Sequence, residues 1–151
     1  MPLTDSEFAA ILEDESKRIR DDIAWTADED HSPALEFRVD VESTHGWPLL
    51  LKGRYNPAAG TLTYALILKT TGRVYGLDLG KDHHNPTCQQ VGDKHKHRWS
   101  ERYGDKEAYV PADLSAPVSD PVAVWREFCA EARIRHDGTM RRPPATQGEL
   151  W

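Results

Sequence analysis

Leu35, Phe37, Val39 and Val41 alternate with Glu36, Arg38 and Asp40. A period of two is the signature of a strand with one buried face, because successive side chains point to opposite sides. The pattern returns at Leu62, Tyr64, Leu66 and Leu68 and again at Tyr75, Leu77 and Leu79, with "PLLLKGRY" (residues 48–55) in between. The links are short: "THGWP", "NPAAG" and "KTTGR" carry Gly or Pro where a reversal needs them. Links of this length cannot cross over a sheet face, so consecutive strands must run antiparallel. The chain is thereby committed to a meander of four strands or more, apolar on one side and charged on the other.

Helical patterns flank this meander. Thr4 and Glu7 have capping-box spacing, and Phe8, Ile11, Leu12, Ile19 and Ile23 fall on one stripe, which predicts a helix from Thr4 to Trp25. "TADEDHSP" ends it as an acidic loop. Near the other end, Asp120-Pro121 is a cap followed by a first-turn proline. Val122, Trp125, Phe128, Cys129 and Ala132 form the apolar stripe of the helix that follows, predicted to run to about His136-Asp137-Gly138. There His136 would sit at the negative end of the helix dipole. The expected fold is α+β: an antiparallel meander with an N-terminal and a C-terminal helix on one face, leaving the other face free for a ligand or partner. Residues 1–138 are expected to form a single domain and 139–151 a loosely ordered tail.

A chain of 151 residues is long enough to bury a real core. Its net charge of −6 argues against an indiscriminate nucleic-acid binder, since phosphate neutralisation drives such binding. A local basic patch would be needed instead. Two cysteines, Cys88 and Cys129, make no disulfide framework. No apolar run reaches membrane length, and "MPLTDSEF" lacks the design of a signal peptide, so a cytoplasmic, reduced setting with no membrane is expected.

Chemistry concentrates in "HHNPTCQQVGDKHKHRW", residues 83–99, which holds four of the seven histidines. Histidine both gives and takes protons near neutral pH. Two histidines and a cation suffice to cleave RNA without metal: one removes the 2′-hydroxyl proton, the other protonates the leaving oxygen, and the cation stabilises the charge built up at phosphorus. His83 or His84, with His95 or His97, are the candidates for the proton roles. Lys96, Arg98 and Arg102 would hold phosphate, and Trp99 and Tyr103 would stack a base. Between Lys94 and Arg102 four cations oppose one acid, Glu101, which supplies the local basic patch. If "HKHRW" is extended, His95, His97 and Trp99 share one side while Lys96 and Arg98 share the other. A phosphate site would then need an irregular backbone within residues 92–99, or a cation from Arg54, Arg73 or Arg102.

A metal reading uses His95 and His97 with His83 or His84, Asp78, Asp82 or Cys88. There is no C-x-x-C pair and no H-E-x-x-H, and Lys94, Lys96 and Arg98 would crowd a cation, so neither a metal nor a cofactor is expected. The bland alternative makes the histidines polar loop residues and Trp99 a core anchor. "DHHNP" resembles the D-H-x-x-P opening of HNH nucleases over residues 82–86, without the later histidine on a helix that such a site uses.

"HHNP" and "HKHRW", followed by "DKEAYVP", resemble a block seen in small uncharacterised bacterial and mobile-element proteins, across residues 76–113. The resemblance carries no activity. It implies a bacterial or phage setting, in which proteins of this size are often toxins, antitoxins or inhibitors of host defence. Two functions follow as expectations: a toxin-like, metal-independent ribonuclease or RNA-binding protein, or a non-enzymatic partner protein that presents its acidic surface to a basic one.

Overall fold

Thr4 starts the first helix, α1 (Asp5–Glu13), with both halves of the capping box in place: its hydroxyl accepts from Glu7 N at 3.0 Å, and its own N–H donates to Glu7 Oε1 at 3.2 Å. A computed structural model describes residues 3–80, 94–98, 108–109 and 116–144, with 94–98 and 108–109 described as backbone. The helix predicted as far as Trp25 stops after Glu13. Asp14 turns the chain by accepting from the backbone N–H and the hydroxyl of Ser16. Lys17, fully buried, folds back and donates to the carbonyls of Ile11 and Leu12 at 2.5 and 2.9 Å. These are among the carbonyls that a helix end leaves without partners. Ile19 and Ile23 fit a helical stripe in sequence but reach the core from extended backbone.

Strand β1 (Arg18–Ile19) pairs in parallel with β9 (Arg135–His136), and a bridge joins Ile23 to Met140. The main sheet is antiparallel and seven-stranded, in the order β2 (Thr26–Ala27), β3 (Leu35–Val41), β4 (Leu49–Asn56), β5 (Thr61–Leu68), β6 (Gly72–Leu79), β7 (Lys94–Arg98) and β8 (Ala108–Tyr109). The four long strands are those that the alternation predicts, and β7 and β8 extend the meander. Asn56 builds the β4–β5 turn by accepting from the N–H groups of Ala58 and Ala59. Gly60 completes it at φ +67°, a left-handed conformation that favours glycine.

Asp120 caps the second helix, α2 (Pro121–Ala132), through Ala123 N. The buried stripe is Val124, Trp125, Phe128, Cys129 and Ala132; the sequence reading had Val122, which is only half-buried. The helix ends at Ala132 and not near Gly138, because Arg133 takes the left-handed conformation (φ 57°) and turns the chain into β9. Packing on α2 defines the inner face of the sheet. Tyr64 donates to Pro121 O at 2.6 Å and packs edge-on against Trp125 and tilted against Phe128, while Phe37 meets Trp25 and Trp125 edge-on. Ile11 of α1 joins the same core.

Residues 139–141, placed in the expected loose tail, are held to the fold. Thr139 donates to Asp22 and accepts from Ile23 N, Arg141 N donates to Ile23 O, and Met140 is buried. Residues 145–151 lie outside the described residues. Among the described residues, no helix is long and apolar enough to cross a membrane.

Candidate functional site

Residues paired across an antiparallel ladder lie on the same face, so the register draws rows across the outer side of the sheet. One row runs Arg38, Lys52, Ala65, Gly76, His97 and Ala108. The next runs Thr26, Glu36, Arg54, Thr63, Asp78 and His95. Glu36, Arg38, Lys52, Arg54, Thr63 and Ala65 line a depression of about 590 Å³ on this face.

The two rows differ in how their charges are met. In the second, Arg54 reaches Asp28 at 2.8 Å and Glu36 at 3.7 Å. Asp78, buried, accepts from Thr63 Oγ1 at 2.6 Å and lies 3.6 Å from Arg73. In the first, Arg38 and Lys52 stand directly opposite one another, exposed, and neither enters an ion pair among the described residues. Like charges directly opposed on one face destabilise a sheet. An anion bound between them would reverse that repulsion. Ala65 and Gly76 continue the row as a floor without bulk.

At the β2 end the depression is bordered by a short relay. Asp28 caps the single 3-10 turn at Glu29–His31 through Asp30 N. Its Oδ2 meets His31 Nδ1 at 3.1 Å and Arg54 Nη1 at 2.8 Å. The bond from Arg54, with that from His31, holds the Asp28 carboxyl below its ordinary pKa. His31 is exposed, and its Nε2 has no partner among the described residues. A carboxylate on Nδ1 that leaves Nε2 open is the arrangement that orients a histidine for proton transfer.

Of the residues singled out in the sequence, His83, His84, Trp99, Arg102 and Tyr103 lie outside the described residues, as does Cys88. His95, Lys96, His97 and Arg98 form β7. Residues 94–98 pair with β6 without a register shift, so the irregular backbone expected within 92–99 is absent over that span: the ladder to a buried, regular neighbour holds it straight. His95 and His97 consequently occupy outer-face positions, opposite Asp78 and Gly76. Lys96 and Arg98 are opposite Leu77 and Tyr75, positions of the inner face. Of the alternative cations, Arg54 and Arg73 are both engaged with carboxylates. Sequence reasoning missed Arg38 and Lys52, whose opposition appears only once register is known. It also missed the pair Asp28 and His31, whose D-x-x-H spacing at a turn was the available signal.

Two further side chains are structural. Cys129 is core, as its place on the α2 stripe predicts, and burial pushes its thiol up to about 12. His136 is not at a helix end: on β9, its Nδ1 accepts from Trp125 Nε1 at 3.0 Å while Nε2 donates to Asp21 O at 2.8 Å.

A family model described as "Family of unknown function (DUF6978)" matches residues 3–134. The chain belongs to this family. The match takes in both helices and the whole seven-stranded sheet, well beyond the histidine block on which the sequence resemblance rested. No curated protein and no solved structure matches the chain.

Proposed function

We propose that this chain binds a phosphate ester, single-stranded RNA by preference, across the outer face of its sheet, and that its toxin-like form of action is metal-independent cleavage of that RNA. One observation carries the reading: Arg38 and Lys52, without an ion-pair partner among the described residues and directly opposed, form a local basic site on a chain of net charge −6. Backbone contacts to phosphate account for most affinity in such complexes, and two cations at one point suit a phosphodiester better than a neutral ligand. The outer-face positions of His95 and His97 continue the same row and its neighbour. The expected contacts from Trp99, Arg102 and Tyr103, and the proton roles of His83 and His84, belong to the same reading; Lys96 and Arg98, at inner-face positions of β7, do not. So does a cytoplasmic, bacterial or phage setting.

Fluorescence anisotropy with a labelled single-stranded RNA of mixed sequence tests the proposal. Binding at low salt is expected, weakening steeply as salt rises. Arg38→Ala and Lys52→Ala should each weaken it and flatten the salt dependence by about one counterion per cation removed. Arg126→Ala, on the exposed side of α2, should leave it unchanged. Undetectable binding by the unaltered chain would overturn the proposal and favour the protein-partner reading, in which the acidic surface does the binding.

A further inference from the structure

The histidine positions of β7 are far from the cation pair. Lys52 and His97 are separated by β5 and β6, which at the ordinary strand spacing puts their backbones roughly 14 Å apart. A phosphodiester held between Arg38 and Lys52 lies closer to the other margin of the sheet, where a second set of proton-transfer groups is assembled. We infer that Glu36 and His31 are the general base and general acid of the outer-face site, with Asp28 positioning His31, Arg54 tethering Asp28 and Glu36, and Arg38 and Lys52 clamping the phosphate of an RNA strand. This rests on the reading above and moves its chemistry from β7 to the β2–β4 end.

Three contacts in series hold the group together: His31 Nδ1 to Asp28 Oδ2 at 3.1 Å, Asp28 Oδ2 to Arg54 Nη1 at 2.8 Å, and Arg54 Nη1 to Glu36 Oε2 at 3.7 Å. The imidazole and the Glu36 carboxylate are therefore tied to one guanidinium from two sides. In-line displacement at phosphorus needs that division, with one proton acceptor beside the attacking oxygen and one donor beside the leaving oxygen. Glu36 shares the floor of the depression with Arg38, Lys52 and Thr63. Its carboxylate is about half exposed, so it can meet a ligand, and Arg38 follows it on the same face two residues on. The charged groups around His31 are Asp28, Glu29, Asp30 and Arg54; those around Glu36 are Arg54, Arg38 and Lys52.

The step balances without metal or redox partner. The Glu36 carboxylate takes the proton of a ribose 2′-hydroxyl, and the oxygen so freed forms a bond to phosphorus. The bond from phosphorus to the 5′-oxygen breaks, and that oxygen takes the proton carried on His31 Nε2. The products are a 2′,3′-cyclic phosphate and a 5′-hydroxyl. Arg38 and Lys52 stabilise the extra negative charge on the phosphoryl oxygens between the two bond changes. DNA of the same sequence has no 2′-hydroxyl and must survive.

The test uses the full chain, an end-labelled single-stranded RNA, its DNA counterpart and a chelator. The unaltered chain should cut the RNA alone, leaving cyclic phosphate ends, with a bell-shaped dependence of kcat/KM on pH. Glu36→Gln and His31→Ala should each lower kcat about 100-fold or more while leaving the RNA dissociation constant within a few-fold. Glu36→Gln should also remove the acid limb of the bell and His31→Ala the alkaline limb, changes that a merely structural role would not produce. Circular dichroism shows that both variants are folded, and His31→Gln serves if His31→Ala is not. RNA bound but never cut overturns this inference and leaves the binding proposal standing. RNA cut equally well by both variants, with loss confined to His95→Ala or His97→Ala, returns the chemistry to β7. RNA neither bound nor cut overturns both proposals.

Discussion

The two faces of the main sheet are built from the same strands and obey opposite rules. On the inner face Phe37, Tyr64, Tyr75, Trp125 and Phe128 form a continuous aromatic cluster, and the buried hydroxyl of Tyr64 has a definite acceptor. On the outer face charges stand side by side, one row neutralised by its neighbours and the other not. The contacts of this aromatic cluster are accounted for by stability. Opposed Arg38 and Lys52 are not, since a sheet gains nothing from them. Where packing leaves nothing unexplained a residue needs no further role; where the local energetics run against a residue, a ligand is the economical account.

Substitutions at paired positions sharpen this contrast. The largest effect is expected at Tyr64→Ala, which empties the centre of the inner cluster and leaves Pro121 O without its donor. It should cost about 3–5 kcal/mol in urea unfolding, against within about 0.5 kcal/mol for Arg38→Ala. Equal losses at the two positions would break the distinction between the faces.

Glycines give a finer comparison. A methyl group on Gly53 would lie 2.0 Å from the Phe37 ring, which covers that glycine on the inner face. One on Gly76, facing outward, would meet Arg73 Cδ at 3.1 Å and Tyr64 O at 3.2 Å. Gly53→Ala should therefore destabilise by about 2–3 kcal/mol, an overpacking cost, and Gly76→Ala by less than about 1 kcal/mol. Thermal melts of the two variants decide it, and the reverse order would mean that Phe37 moves freely.

A third experiment sets a buried charge against the exposed ones. Burial of Lys17 lowers its pKa from 10.5 to about 8, against the opposing pull of Asp14. Between those values the unfolded chain holds a proton that the folded chain has lost, so the Lys17 contribution to stability rises with pH from about 8 to 10.5, opposed above 9 by Cys129, whose buried thiol keeps its proton up to about 12. The expected Lys17 contribution is about 3 kcal/mol. Lys17→Met should abolish that rise, whereas Lys52→Met, on the exposed face, should leave it intact. Identical pH profiles for the unaltered chain and Lys17→Met would contradict the burial of a lysine that is charged at neutral pH.

The meander was legible because its signal is redundant: four strands repeat the same alternation between turns of known chemistry, and Leu35 to Val41 alone leaves little choice of face. The start of α2 was legible because Asp120-Pro121 is a local device. The end of α1 was not, since Ile19 and Ile23 continue a helical stripe by coincidence of spacing. What stops the helix is Lys17 reaching back to two carbonyls, a tertiary fact. The outer-face site was half legible. Charged positions on β3 and β4 could be read one by one, but that Arg38 opposes Lys52 depends on the register of the two strands. The relay from His31 to Glu36 depends on where a 3-10 turn places one carboxylate. Histidine density drew attention to residues 83–99, whereas the described proton-transfer geometry belongs to an isolated histidine.

The parallel strands β1 and β9 bear on how the chain reaches this state. Successive strands of the meander find partners that were made moments before, at little cost in chain entropy. The ends of the chain have no such advantage: Asp22 and Thr139 meet across 117 residues, and the ladder of Arg18 and Ile19 needs residues that follow α2. Such distant closures are slow to form because their loop entropy must be overcome before their contacts reward it. During synthesis Lys17, Ile19 and Ile23 wait for β9, which emerges only after the whole meander and α2.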